Sequence, residues 1–126
     1  MIIAVDFDGI LCENKFPEIG KPNYDMISLI RQLIDDGHEV ILWTSRADEE
    51  LNKAVRWCCD YGLRFCAVNE NAPSNIEQYA SKYPRGTRKV YADIYIDDHN
   101  LMYDKTKVTN YLKKGISLWK TKVKEN

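Results

Sequence analysis

Apolar residues run almost unbroken from Met1 to Val5 and stop at Asp6-Phe7-Asp8-Gly9. A short, nearly all-apolar run that ends in a polar loop fits a strand buried on both faces, so a central parallel strand is predicted here. After an irregular stretch holding Pro17, Gly20 and Pro22, residues Met26, Ile27, Ile30, Leu33 and Ile34 recur at helical spacing, and Gly37 stops the helix. A second buried strand follows over Glu39–Trp43 and delivers the chain to Thr44-Ser45-Arg46. Ser45 and Asp48 have the spacing of a capping box, opening a helix whose Leu51, Ala54, Val55 and Cys58 share one face. Leu63–Val68 reads as a third strand and Asn69–Pro73 as a loop. Ser74 with Glu77 reads as a second capping box, and Ile94-Tyr95-Ile96 as a last strand running into Asp97-Asp98.

Strand alternating with helix, with connections long enough for right-handed crossovers, predicts an α/β fold: a doubly wound three-layer sandwich around a mainly parallel sheet. The 126 residues suffice for one domain, 1–126, with one core and no separate cap. Acidic and basic residues nearly balance, giving a formal net charge of −1 and no global field toward polyanions. The distribution is uneven, because residues 105–126 hold seven lysines against Glu125 while the body carries the acidic excess. Such a tail is read as a solvated end; with Trp119 it is also a candidate contact for a polyanion. No apolar run is long enough for a membrane span, and nothing resembles a signal peptide, so a cytoplasmic protein without membrane contact is expected. Cys12, Cys58, Cys59 and Cys66 form neither a Cys-x-x-Cys pair nor a cluster with histidine, and are expected to be reduced and mainly packing residues.

In open α/β sheets, ligands bind beyond the carboxyl ends of the strands, beside the point where strand order reverses. Asp6, Asp8, Asp97 and Asp98 are all predicted to reach that rim. Carboxylates packed so closely repel one another, and a divalent cation is the usual neutraliser. An oxygen-only set points to Mg²⁺ rather than zinc. Thr44 and Ser45, ahead of a helix N-terminus, together with Arg46, are anion-friendly groups expected to bind substrate phosphate. A carboxylate at the centre of such a site can attack phosphorus and form an aspartyl-phosphate.

Asp6-Phe7-Asp8-Gly9-Ile10-Leu11 after a buried strand resembles the first signature of the haloacid dehalogenase (HAD) superfamily of phosphatases, Asp-x-Asp-Gly-Thr/Val-Leu, with Ile10 in place of the usual Thr or Val. Val40–Thr44 resembles the second motif, and Tyr95-Ile96-Asp97-Asp98 the fourth. The resemblance implies a HAD-like fold and a Mg²⁺-dependent phosphomonoester hydrolase. It implies Asp6 as nucleophile, Asp8 as general acid and then base, and Thr44 as a hydrogen-bond donor to phosphate. It further implies Mg²⁺ held by Asp6, by the main-chain carbonyl at Asp8 and by Asp97, with Asp98 in or next to the coordination shell.

Lys89 is the candidate for the family's phosphate-neutralising lysine, and Lys82 the rival. A continuous strand from Lys89 to Asp97 would separate them by about 26 Å, so a turn through Val90–Asp93 is required to return Lys89 to the rim. Neither position used for caps in the family holds a large insert, so the site should be open, or covered by a second copy of the chain in a homo-oligomer. Similar capless members act on phosphosugars, nucleic-acid ends or phosphoproteins, and the sequence does not choose among these; nucleic acid enters only as a substrate. Trp43, Tyr91, Tyr95, Tyr103, Asn69, Asn71 and His99 are secondary candidates, each better explained as core, loop or surface. Two other readings remain: a phosphate-binding protein without turnover, and a receiver-like signalling module, against which stands the end of the third strand in Val68-Asn69-Glu70 instead of an acceptor Asp.

Overall fold

In the computed structural model, which describes the backbone of residues 1–125 and the side-chain surroundings of residues 1–115, four parallel strands form the central sheet. They are β1 (Ile2–Val5), β4 (Glu39–Leu42), β5 (Ala67–Val68) and β6 (Ile94–Ile96), in the order β5-β4-β1-β6. A separate antiparallel hairpin pairs β2 (Cys12–Lys15) with β3 (Glu18–Pro22). The helices are α1 (Tyr24–Asp35), α2 (Asp48–Asp60), α3 (Pro73–Tyr79) and α4 (Lys105–Glu125). This is the predicted doubly wound α/β architecture, with no cap domain among the described residues.

Alternation along the strands explains the layering. Ile3, Val5, Val40, Leu42 and Ile96 face one side of the sheet and pack with Met26, Ile27, Ile30 and Leu33 of α1, Ala54 and Cys58 of α2, and Leu112 of α4. Ala4 and Ile41 face the other side, where Ala72, Val90 and Ala92 cover them. The second layer is thin, since α3 contributes no buried residue and irregular chain does most of the covering. Burial pushes the Cys58 thiol up to about 12 and the Cys12 thiol up to about 11, so both stay protonated as packing groups. Cys59 and Cys66 depart from the packing expectation and are exposed.

Helix α1 begins at Asn23, whose side chain accepts from the Met26 N–H, and ends before Gly37 at φ +94°. Neither predicted capping box forms. Helix α2 is capped by Ala47 without a side-chain bond, and α3 starts with Pro73 at its first position while Ser74 Oγ bonds Glu39. The third strand is shorter than its apolar run: Leu63 is buried in the core, yet only Ala67 and Val68 pair with β4. No described helix is long and apolar enough to cross a membrane. Trp119 and the end of the basic tail lie outside the described side chains.

Leu42 sits fully buried where β4 meets the α1 and α2 layer. Leu42→Ala should lower unfolding free energy by about 2–5 kcal/mol; a loss below about 1 kcal/mol in urea titration would contradict the assigned core.

Candidate functional site

Chain order sets where the site lies. From β1 the chain winds outward through β4 to β5, then returns to the other side of β1 as β6, so strand order reverses between β1 and β6. Asp6 follows β1, and Asp97 and Asp98 follow β6, so all three stand on this reversal. The Asp6 N–H donates to the Ile96 carbonyl at 2.9 Å, which ties the two strand ends together. One carboxylate oxygen from each of Asp6, Asp97 and Asp98 lies within 4.8 Å of the others.

Charges held this close in a half-buried place repel strongly. Burial pushes the Asp6 carboxyl up to about 7; the Phe7 N–H donated to its Oδ1 at 2.8 Å acts in the opposite sense, and Asp97, Asp98 and Asp8 add further upward pressure. Asp98 Oδ1 is buried with no hydrogen-bond partner. An orphaned carboxylate oxygen within an all-oxygen triad fits a hard divalent cation such as Mg²⁺, which these three residues could hold. Gly9 is essential to the fit: its φ is +89°, and a Cβ there would overlap the Asp98 carboxylate.

Asp8 belongs to a different substructure. Both its oxygens accept from Arg46, from Nε at 2.8 Å and from Nη2 at 2.8 Å. The guanidinium also donates from Nη2 to the Glu18 carbonyl at 2.9 Å and from Nη1 to the Pro17 carbonyl at 3.0 Å. Its Cζ lies 5.1 Å from the ring centroids of both Phe7 and Phe16. Arg46 is only 3% exposed. The residue expected to grip phosphate therefore has its donors committed to protein partners; it pins the β2–β3 hairpin over the rim and fixes the orientation of Asp8.

Thr44 reaches the same rim. Its Oγ1 accepts from the Arg46 N–H at 3.1 Å, which leaves the hydroxyl proton available to an anion. Its own N–H donates to Asn69 Oδ1 at 2.9 Å. Asn69 has φ +54°, so a residue first read as loop-forming also positions Thr44 from the end of β5. Ser45 lines the cleft but caps no helix; α2 begins only at Asp48, and Asp48, Glu49 and Glu50 fill its first turn with negative charge. That helix start is not an anion seat.

The cleft has a volume of about 520 Å³, and Asp6, Asp8, Thr44, Ser45, Arg46 and Asp97 are among its lining residues. Trp43 and His99 line it too, as do Asn14 and Phe16 at the tip of the hairpin. The sequence marks those two hairpin residues by no more than a Phe-Pro turn between two short polar runs. Lys89 is not among the lining residues. It is exposed, and its Nζ lies 5.2 Å above the Tyr95 ring. Tyr91, Tyr95 and Tyr103 stay outside the cleft: Tyr95 donates its hydroxyl to the Val90 carbonyl at 2.6 Å, and Tyr91 donates to Asp93.

A solved structure described as that of a conserved protein from Bacteroides thetaiotaomicron is similar to the chain, with a TM-score of 0.74 and 34% identity over 91% of each chain. Neither a family model nor a curated protein matches.

Removing one member of a buried ion pair strands the other. Arg46→Ala should therefore cost about 3–5 kcal/mol in urea unfolding. Asp8→Ala introduced in addition should cost far less than it does alone. Strictly additive losses would contradict the clamp.

Proposed function

From a chain that belongs to the same family as that conserved Bacteroides thetaiotaomicron protein, with three mutually repelling carboxylates at its strand-order reversal, we infer a Mg²⁺-dependent phosphomonoester hydrolase. The observation that carries the reading is the meeting of Asp6 with Asp97 and Asp98, beside an Arg46-held Asp8 and the Thr44 hydroxyl. The motif resemblance to HAD phosphatases supports it. Asp6, Asp97 and Asp98 would hold the ion, which when bound neutralises charge between the nucleophile and the substrate phosphate.

In the proposed reaction an Asp6 carboxylate oxygen forms a bond to phosphorus while the bond to the leaving oxygen breaks. The Thr44 hydroxyl donates to a phosphate oxygen. Asp8 stands by the leaving group and transfers a proton to it; in the second step it accepts a proton from the water that attacks phosphorus, releasing orthophosphate and restoring Asp6. Each Asp8 oxygen takes one hydrogen bond from Arg46, which fixes the plane of the carboxylate and leaves it a competent base. With only the β2–β3 hairpin overhanging it among the described residues, the cleft admits a bulky leaving group, and the substrate class is set at its open side, where Phe16, Asn14 and Trp43 stand.

Phosphate release from a generic aryl phosphate tests the reading. Wild type should turn over with Mg²⁺ and stop with a chelator. Asp6→Asn should be inactive, and Asp8→Asn slower by roughly 10²–10⁴. Turnover that survives in Asp6→Asn, or that ignores the chelator, would overturn it.

A further inference from the structure

On the face of the molecule formed by α3 and the segment that follows it, the chain passes from Glu77 to Asp93 without an acidic residue while carrying Lys82, Arg85, Arg88 and Lys89. In a body with an acidic excess this is a local exception. Three tyrosines are interleaved with these cations, and all are held open to solvent: Tyr79 is 41% exposed, Tyr83 46% and Tyr91 50%. Together with Ile76 and Arg85 they line a groove of about 440 Å³. The Tyr79 and Tyr83 ring centroids are 6.3 Å apart, and Lys82 Nζ lies 5.5 Å over Tyr83.

The groove is braced from below. Asn71 Oδ1 accepts from the Tyr91 N–H at 2.7 Å, and Asn71 Nδ2 donates to Thr87 Oγ1 at 3.1 Å. Of the acids near this face, Asp93 is occupied by the Tyr91 hydroxyl and the Ile2 N–H and Glu39 by Ser74, while Glu77 stands on α3 itself. Helix α3 buries no side chain of its own, and none of Tyr79, Tyr83 and Tyr91 belongs to the core.

We propose that this face binds single-stranded nucleic acid, with bases stacked on Tyr79, Tyr83 and Tyr91 and phosphates paired with Lys82, Arg85 and Arg88. Flat aromatic faces alternating with cations match the two features that every nucleotide repeats, a π-face and a negative charge. An acidic peptide would satisfy the cations and leave the rings unused. The site is separate from the carboxylate cleft, needs neither Mg²⁺ nor Asp6, and so stands or falls independently of the hydrolase reading.

Fluorescence anisotropy of an end-labelled oligothymidylate with the full chain, in chelator and low salt, tests it. Wild type should bind, more weakly as salt rises. Tyr79→Ala and Tyr83→Ala together should weaken binding about tenfold or more, with circular dichroism unchanged. Arg85→Gln with Arg88→Gln should weaken binding and flatten the salt dependence by roughly 1.4 in log–log slope. Absence of binding, or binding that the tyrosine pair does not alter, would overturn the proposal. Polyglutamate competing as well as unlabelled oligothymidylate would also overturn it, in favour of an acidic protein partner.

Discussion

Three carboxylates brought within a few ångströms of one another are the constraint around which the rest of the rim is arranged. Asp6, Asp97 and Asp98 arrive there because β1 and β6 are neighbours and both run out at the strand-order reversal. Their repulsion opposes folding unless a proton or a cation relieves it, and the rise of the Asp6 carboxyl to about 7 reflects burial with these like charges around it. Gly9 completes the arrangement, since only a residue without Cβ leaves Asp98 room to approach. The cost in stability of bringing two strand ends and a glycine together here is what singles this rim out as the candidate site.

Arg46 solves the problem of the fourth carboxylate differently. Asp8 adds only the smallest share to the repulsion at Asp6, and the chain pairs it with a buried guanidinium that lies close to two phenyl rings. The same guanidinium binds the Pro17 and Glu18 carbonyls, so one side chain fixes both the orientation of Asp8 and the hairpin that overhangs it. The rim thus contains two electrostatic devices: an acid triad suited to a cation, and an acid already neutralised by protein. Their separation supports the division of labour proposed for Asp6 and Asp8.

The main sheet was legible in the sequence because its strands are buried on both faces and end abruptly. Ile2–Val5 and Ile94–Ile96 could hardly be anything else, and their acidic ends followed from the same pattern. Other features obey forces that a linear pattern hides. The β2–β3 hairpin is missed because Glu13, Asn14 and Lys15 are all exposed and show no alternation. The boxes predicted at Ser45 and Ser74 satisfy the spacing rule, but Ala47 and Ala72 take the capping positions, and Ser74 bonds Glu39 instead. Arg46 stands at the rim as its position after β4 predicts, but its donors go to Asp8, Pro17 and Glu18 and not to an anion, because a sequence gives the presence of five donors and not their partners. Lys89 shows the same limit: the turn required through Val90–Asp93 does not form, only a bend at Asp93 precedes β6, and the ammonium stands over Tyr95 outside the cleft lining.

The central claim is that Asp6 forms a covalent bond to phosphorus, and trapping that bond tests it most directly. Wild type mixed with Mg²⁺ and an aryl phosphate, quenched in acid within one turnover and digested, should yield a phosphoryl adduct on the peptide that carries Asp6, absent from Asp6→Asn. Turnover under the same conditions with no adduct at any quench time, or an adduct on a different residue, would contradict the account.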